Sequence, residues 1–190
     1  MSRNDEAVLK IGTGEFYTAP TGTELPANIL EPGEPFTSMG HTSLEDILNS
    51  ASEGGESTVL SSLQKRNLRT SISARTESYN INLLQFDSES LTLYYGANAE
   101  VTDEGHVRPA QEPVPTEVAW LFVFRDGDRV GGIFAPRASI FRGDDVAITD
   151  TEALQSLNLQ VTPLVHDNNQ HAIEFIPPKP IVVGGDTSGE

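Results

Sequence analysis

Residues 68–96, LRTSISARTESYNINLLQFDSESLTLYYG, decide how the rest of the chain is interpreted. In residues 68–75 the even positions hold Leu, Thr, Ile and Ala, while the odd positions hold Arg, Ser, Ser and Arg. This period of two is typical of a strand with one buried face and one face in water. From Tyr79 to Leu83 the apolar side chains occupy odd positions instead. Such a switch requires a bulge or a bend between sheets, so we predict an interrupted β-strand.

The end of the same stretch predicts a helix over residues 88–95. Asp87 is a suitable N-cap, and the following Ser-Glu-Ser favours a first helical turn. Gly96 suits the position after the last turn. A narrow apolar stripe at helical spacing is formed by Leu91, Tyr94 and Tyr95. Positions 91, 93 and 95 also alternate, so a strand is the competing interpretation.

Length and composition indicate one domain without cysteine chemistry. A chain of 190 residues favours a single domain, which we place at residues 1–176, with a C-terminal tail at 177–190. The absence of Cys excludes disulfides and Cys-based metal sites. No run is long enough to span a membrane, and the N-terminus has no apolar signal region. We therefore expect a soluble protein made without a signal peptide.

The charge is strongly acidic and unevenly distributed. The net charge is −16, and such a surface repels DNA and anionic lipid. Residues 1–60 carry ten acids and two cations, whereas residues 65–75 carry four of the 12 cations. This asymmetry would suit contacts between copies of the same protein. Ordinary pairing within one chain is the alternative, since surface ion pairs are common and weak.

The rest of the chain is predicted to be mainly β. The clearest hairpin joins residues 117–124 to 129–135 through a turn at Asp126-Gly127, and Pro136 interrupts the returning strand. The other strands that we predict are 7–11 and 16–18 around a Gly12–Gly14 turn, 137–141, a short one at 146–149, and 157–164 paired with 171–176. Residues 151–154 read as a weak helical turn, and residues 166–170 as a turn.

Three further segments are poor in regular structure or in apolar side chains. Residues 19–35 and 97–117 are rich in Pro and are predicted to be long loops, the first held down by Leu25, Ile29 and Leu30. Residues 43–49 could form either a helical turn, with a capping box at Thr42-x-x-Glu45, or a strand. An extended hairpin is predicted at about 47–63 around Gly54-Gly55. It has so little apolar area that we expect it to gain order by packing on something else, such as another subunit.

No residue pattern supports a catalytic, cofactor or metal site. His166 and His171 have no further ligand nearby in the sequence, so zinc is disfavoured. Ser62-x-x-Lys65 lacks the other motifs of penicillin-binding enzymes, and Arg142-Gly143-Asp144 reads as a turn. No Ser, His and Asp set has a recognisable spacing. We predict that the chain is not an enzyme and binds no cofactor.

The order of several short motifs resembles the major tail proteins of long, non-contractile-tailed bacteriophages, especially those of actinobacteria. The motifs are SMGHTSLED (38–46), EGGE (53–56), QKRNLRT (64–70), LQFDSESLTLYYG (84–96), FAPRASI (134–140) and LNLQVTPL (157–164). The resemblance covers about residues 5–176. It implies a phage tail tube fold: a β-sandwich or partial barrel of two packed antiparallel sheets with one flanking helix.

The resemblance also implies a function and partners. Copies of the chain would form hexameric rings that stack into the hollow tube through which DNA is ejected. The partners would be the chain itself, a tape measure protein in the lumen during assembly, and the tail terminator and distal tail proteins. DNA would pass without specific binding. The protein would be made in the host cytoplasm and would reside in the virion tail.

Charged and Gly residues of the central segment are our candidates for contacts between subunits or between rings. They are Glu53, Gly54, Gly55, Glu56, Lys65, Arg66, Arg69 and Arg75. We expect the acids to serve the lumen or ring stacking, and the cations to meet acids of a neighbouring subunit.

Two other interpretations of the function remain. One is a virion component that forms single rings, such as a tail terminator or head–tail joining protein, and the other is a β-sandwich binding module.

Overall fold

The computed structural model describes residues 8–146, 148, 154–166 and 171–181. Its elements are β1 (Thr13–Ala19), β2 (Thr37–Ser38), β3 (Asn49–Gly54), β4 (Ser57–Leu60), β5 (Arg69–Ile72), β6 (Arg75–Leu83), α1 (Ser88–Tyr95), β7 (Glu100–Val101), β8 (Val107–Arg108), β9 (Thr116–Asp126), β10 (Arg129–Arg142), β11 (Leu157–Pro163) and β12 (Glu174–Pro180). Strands hold 46% of the described residues and helix 5%. The predicted fold class, mainly β with antiparallel sheets and one helix, is confirmed for the described residues.

The chain folds into two compact units, and β10 contributes residues to both. The first unit is drawn from Met1–His41, Glu117–Ala138 and Leu164–Glu190, and the second from Thr42–Thr116 and Ser139–Pro163. The limits of the predicted domain, residues 1–176, stay a prediction.

The core of the first unit forms around β9, which is buried on both faces. Its strands run in the order β2-β1-β9-β10, with β12 added to β10. Because both faces of β9 are covered by other side chains, its apolar run needs no alternation. On one face, Ala119, Leu121 and Val123 form a buried cluster with Phe134. On the other face, rings stack: the Phe16 and Phe122 centroids are 4.5 Å apart, and Phe16 and Trp120 are 6.1 Å apart.

The core of the second unit lies on alternate residues of β6 and β11. These strands are antiparallel, with Leu159 opposite Ile81. The buried side chains are Tyr79, Ile81, Leu83, Leu157, Leu159 and Val161, and polar Asn or Gln residues separate them within each strand. The odd-numbered apolar face predicted for residues 79–83 is thus confirmed.

The predicted helix is confirmed with both of its ends. The Asp87 carboxylate accepts a hydrogen bond from the Ser90 backbone N–H at 2.8 Å, which satisfies one of the free amides of the first turn. The Gly96 N–H donates to the Thr92 carbonyl at 2.9 Å. Gly96 has φ +106°, and a Cβ there would lie 2.5 Å from the Val114 carbonyl oxygen. Only Gly therefore fits this end of the helix.

Local turn signals misled the prediction near the N-terminus. Gly12–Gly14 is not a turn, because Gly14 lies within β1 opposite Phe124, and the Gly12 N–H donates to the Arg125 carbonyl at 2.9 Å. A Cβ on Gly14 would lie 2.9 Å from the Phe122 ring, so this Gly makes room for an aromatic side chain. Residues 8–12 form no strand, and Ala7 lies outside the described residues.

Of the two interpretations of residues 43–49, the helical turn is wrong. Thr42 instead forms a β-bridge with Leu83, and the Ser43 N–H donates to the Asn82 carbonyl at 2.9 Å. These contacts to β6 remove Thr42 from a capping position. Residues 44–47 form bends before β3 begins.

The C-terminal strand pairs differently from the prediction. Residues 171–176 were expected to pair with 157–164, but β12 pairs with β10, with Phe175 opposite Ile133. It also continues through Pro180, into residues predicted to be tail. Proline is tolerated in β12 because this strand lies at the border of the sheet. The N–H groups that its prolines lack are not needed to pair with a further strand. Pro136, likewise, does not interrupt β10.

The remaining predictions concern segments that the structure describes only in part. Val146 and Ile148 form no strand, and the other residues of 146–149 lie outside the described part of the chain, as do residues 151–153 and 167–170. The loop at 19–35 is confirmed beyond the end of β1. The segment 97–117 holds the short β7–β8 hairpin and the start of β9.

Candidate assembly surfaces

A long two-stranded arm is the most exposed feature of the second unit. We define the arm as residues 49–76. It begins with β3 paired to β6, Asn49 lying opposite Asn80, and it continues with β4 paired to β5. All of its residues are exposed except Gly55, which is intermediate. The arm therefore makes hydrogen bonds along its own length but buries almost no side chain.

The arm corrects the predicted hairpin at 47–63. Gly54-Gly55 is not its turn but a kink between β3 and β4, with φ values of +81° and +72°. On the opposite strand the kink is matched by a break, where the Gly55 N–H donates to the Ala74 carbonyl at 3.1 Å. The physical reason is that β6 is anchored by buried side chains at its far end. The strand β6 is therefore an ordered partner for β3, whereas the exposed β4 is not.

The true turn lies at residues 61–68, which we call the tip. The Lys65 N–H donates to the Ser62 hydroxyl at 3.1 Å, and the Asn67 N–H donates to the Ser61 hydroxyl at 3.0 Å. Asn67 has φ +54°, a conformation that Asn tolerates better than most residues. Serine hydroxyls and one Asn thus close the turn without help from a neighbour.

Apolar side chains of the arm are left in water. Cross-strand pairing puts Val59 opposite Thr70 and Ser57 opposite Ile72, so the even positions of 68–72 share a face as predicted. The predicted burial of that face is wrong, since Ile72 is 70% exposed. Leu63, at the tip, is 98% exposed. Clustered apolar side chains in water mark an interaction surface more often than scattered ones do.

The structure brings all eight predicted contact residues onto the arm. Glu53, Gly54, Gly55 and Glu56 lie at the kink, and Arg75 lies across from Gly54. Arg75 donates to the Ser52 hydroxyl at 2.7 Å and lies 3.8 Å from Glu77. Three cations remain near the far end: Lys65, Arg66 and Arg69. Within the described residues these three make no ion pair, so pairing inside the chain does not account for the cationic segment. Their role in contacts stays a prediction.

A cavity of about 500 Å³ lies in the first unit, where the 19–35 loop meets β10 and the start of β12. Its lining comprises Gly22, Thr23, Glu24, Leu25, Phe134, Pro136, His166, His171, Ile173 and Glu174. The Gly22 N–H donates to the Pro136 carbonyl at 2.9 Å, and the Thr21 hydroxyl donates to the Glu117 carbonyl at 3.0 Å. Leu25 and Ile29 pack on the buried cluster, which confirms that they hold the loop down.

Both histidines considered for zinc line this cavity. A Cβ on Gly22 would lie 2.8 Å from His166 Nε2, so Gly permits the imidazole to approach the loop. Across the described ranges, no three His, Asp or Glu side chains form a group that could hold a metal ion. Sequence reasoning missed the cavity because its walls come from distant segments, and it missed Leu63 because a single Leu in a polar turn carries no periodic signal.

No helix in the described part of the chain is long and apolar enough to cross a membrane. The described residues form two candidate assembly surfaces. One is the exposed arm with its apolar and cationic side chains, and the other is the cavity with its acidic and apolar walls.

Known proteins resemble this chain in sequence over most of its length. A sequence model of the phage tail tube protein family matches residues 1–184. The major tail protein Gp23 of Mycobacterium phage D29 is 35% identical over 181 residues, covering 88% of this chain and 90% of that protein. Gp23 of Mycobacterium phage L5 is similar to the same extent. These relatives are structural tail proteins, and they confirm the resemblance seen in the motifs. The chain belongs to the phage tail tube protein family and is a structural component of the virion tail.

Proposed function

We propose that copies of this chain assemble into hexameric rings, and that the rings stack into the hollow tube through which phage DNA is ejected. The observation that carries the proposal is the arm, whose strands pair with each other but whose side chains are exposed over residues 49–76. An arm of this length costs conformational entropy to order, and a monomer recovers little of it by burial. Neighbouring copies would supply the missing burial.

Sheet borders support the same conclusion. β2 has only two residues, and β3 has a hydrogen-bonded partner on one side, β6. Unpaired strand edges attract other strands, and a protein made in many copies can use this attraction for assembly. A head-to-tail contact that closes gives a ring, whereas one that repeats along an axis gives a filament. A tail tube combines the two.

The charge of the chain suits passage of DNA. With a net charge of −16, a lumen lined by this protein would repel the phosphate backbone and would not retain it. Glu53 and Glu56, at the kink of the arm, are our candidates for the lumen or for the contact between rings. A tape measure protein in the lumen during assembly, and terminator and distal tail proteins at the ends, complete the proposed set of partners. Synthesis would take place in the host cytoplasm.

Electron microscopy of the purified protein tests the proposal. We expect hollow tubes in negative stain, formed by the protein alone or after addition of distal tail complexes as seeds. Single rings that do not stack would favour a terminator or joining protein. Discrete particles that persist with seeds and at high protein concentration would contradict self-assembly and leave a binding module as the remaining interpretation.

A further inference from the structure

We propose that the tip of the arm of one copy seats in the 500 Å³ cavity of another copy. Leu63 would enter the apolar part of the cavity, while Lys65 and Arg66 would face Glu24 and Glu174. This inference rests on the proposed assembly of identical copies and names the two surfaces that meet.

The cavity has the chemistry to receive such a tip. Leu25, Phe134 and Ile173 provide apolar walls, and Phe134 is itself buried among core residues. Glu24 and Glu174 are exposed carboxylates of the lining. Its volume of about 500 Å³ falls within the range of sites that bind small ligands, and it is larger than one leucine side chain needs.

The tip has the complementary chemistry. Leu63 is 98% exposed, and Lys65 and Arg66 follow it within the same turn. Two serine hydroxyls accept hydrogen bonds from backbone amides of the turn, so its conformation is largely set before contact. A preorganised segment loses less conformational entropy on binding than a flexible one.

Charge directs this pairing more than the apolar contact does. The chain has 12 cations against 28 acids, and the three cations of residues 65–69 make no ion pair with any described residue. Acidic residues elsewhere on the surface would attract the tip weakly and without fixed geometry. The cavity adds an apolar site beside its carboxylates, so it satisfies both parts of the tip. Opposite charges at such a contact fix its register and make its rate of formation depend on salt.

Cross-linking between two single-Cys chains tests the contact directly. The chain has no native Cys, so each variant carries one thiol. An affinity-tagged Leu63→Cys chain is mixed with an untagged Glu24→Cys chain, assembled and treated with a short bis-maleimide. The matched control replaces the second chain by Asp103→Cys, an exposed position between β7 and β8. Mixing two chains ensures that every hetero-adduct joins different copies.

We expect the Leu63→Cys and Glu24→Cys pair to give several times more hetero-adduct than the control pair. Tubes that form with equal adduct in both pairs would overturn the seating of the tip and leave the proposed function intact. Failure of the unsubstituted protein to form tubes under any condition would contradict the proposed function instead.

A charge exchange gives a second test. We expect Glu24→Lys with Glu174→Lys to raise the critical concentration for assembly about tenfold, as Lys65→Glu with Arg66→Glu should. A chain carrying all four substitutions should recover most of that loss, because opposite charges face one another again. A fourfold variant that assembles no better than either double variant would overturn the pairing. Each variant is first shown to retain the circular dichroism of the folded monomer.

Discussion

The hydroxyl of Tyr94 donates a hydrogen bond to the backbone carbonyl of Asp144 at 2.6 Å. Tyr94 lies in the last turn of α1 and is 2% exposed, whereas Asp144 follows the end of β10. The bond therefore ties the helix to a strand end more than 40 residues away in sequence. Burial raises the pKa of Tyr94 above its ordinary value of 10.0, which further favours the protonated hydroxyl that donates this bond.

Replacement of Tyr94 by Phe should destabilise the protein by about 0.5–1.5 kcal/mol, because the hydrogen bond to the Asp144 carbonyl is lost. For a chain of this length the midpoint of thermal unfolding should fall by about 2–4 °C per kcal/mol. Tyr95→Phe is the matched control, since the Tyr95 hydroxyl makes no hydrogen bond with any other described residue. Equal effects of both substitutions in calorimetry would contradict a specific role for the Tyr94 hydroxyl.

The cap of α1 should make stability depend on pH at the acidic end. Hydrogen bonding from the Ser90 backbone N–H lowers the pKa of Asp87 below its ordinary value of 3.8. The carboxylate thus contributes stability that is present above pH 3.8 and is lost as pH falls through the lower, folded pKa. Asp87→Ala should cost about 1 kcal/mol near neutral pH.

Asp87→Asn separates the cap from its charge. Asn caps helices about as well as Asp, so the free energy of unfolding in denaturant should change little near neutral pH. The variant should lack the part of the acid-induced loss that comes from protonating residue 87. If wild type and Asp87→Asn lose stability in parallel down to the most acidic pH measured, the cap makes no contribution through its charge.

The kink of the arm should depend on Gly54. A Cβ there would lie 2.2 Å from the Ala74 carbonyl oxygen, and the backbone has φ +81°. Gly54→Ala should therefore break the pairing beside the kink. Hydrogen exchange of the Gly55 and Ser73 amides should accelerate about tenfold or more, the factor that corresponds to about 1.4 kcal/mol of local opening.

Gly33→Ala provides the control for backbone strain alone. Gly33 also has a positive φ, +65°, but no atom lies within 4 Å of the position of an added Cβ. This variant should leave exchange in the arm unchanged. If Gly54→Ala does so as well, the close contact with Ala74 does not hold the kink.

Those elements whose signals are local could be predicted from the sequence, and those whose partners are distant could not. The helix has its cap, its stripe and its terminal Gly within ten residues, and the β9–β10 hairpin has its turn beside an apolar run. Gly54-Gly55 carries an equally good turn signal, yet β3 pairs with β6 because buried residues such as Ile81 anchor that strand. The cavity gives no signal at all, since Gly22 and His166 meet only in the folded chain.

Tyrosine ionisation should lower stability at high pH. Burial, with a further contribution from the hydrogen bond to Glu15 and its charge, raises the pKa of Tyr17 to about 12 from the ordinary 10.0. A group with a raised folded pKa stabilises the protein below pH 10, and this contribution is lost as pH rises towards 12. The phenolate absorbance of the wild type minus that of the Tyr17→Phe variant reports on Tyr17 alone. This difference should therefore titrate near pH 12. A difference centred at pH 10 would show that the Tyr17 environment does not suppress ionisation.

Charge reversal at Arg69 should prevent tube formation and leave the monomer folded. Arg69 lies on the arm opposite Leu60, exposed and without an ion pair among the described residues, so Arg69→Glu removes no contact inside the monomer. In an assembly where it faces acids of a neighbour, the new carboxylate would be repelled, and like-charge contacts at interfaces cost several kcal/mol. Arg108→Glu is the control, because Arg108 is equally exposed but pairs with Glu100 in the β7–β8 hairpin. We expect tubes from the control and none from Arg69→Glu in negative stain, with both variants unchanged in circular dichroism; normal tubes from Arg69→Glu would refute its place at a contact between subunits.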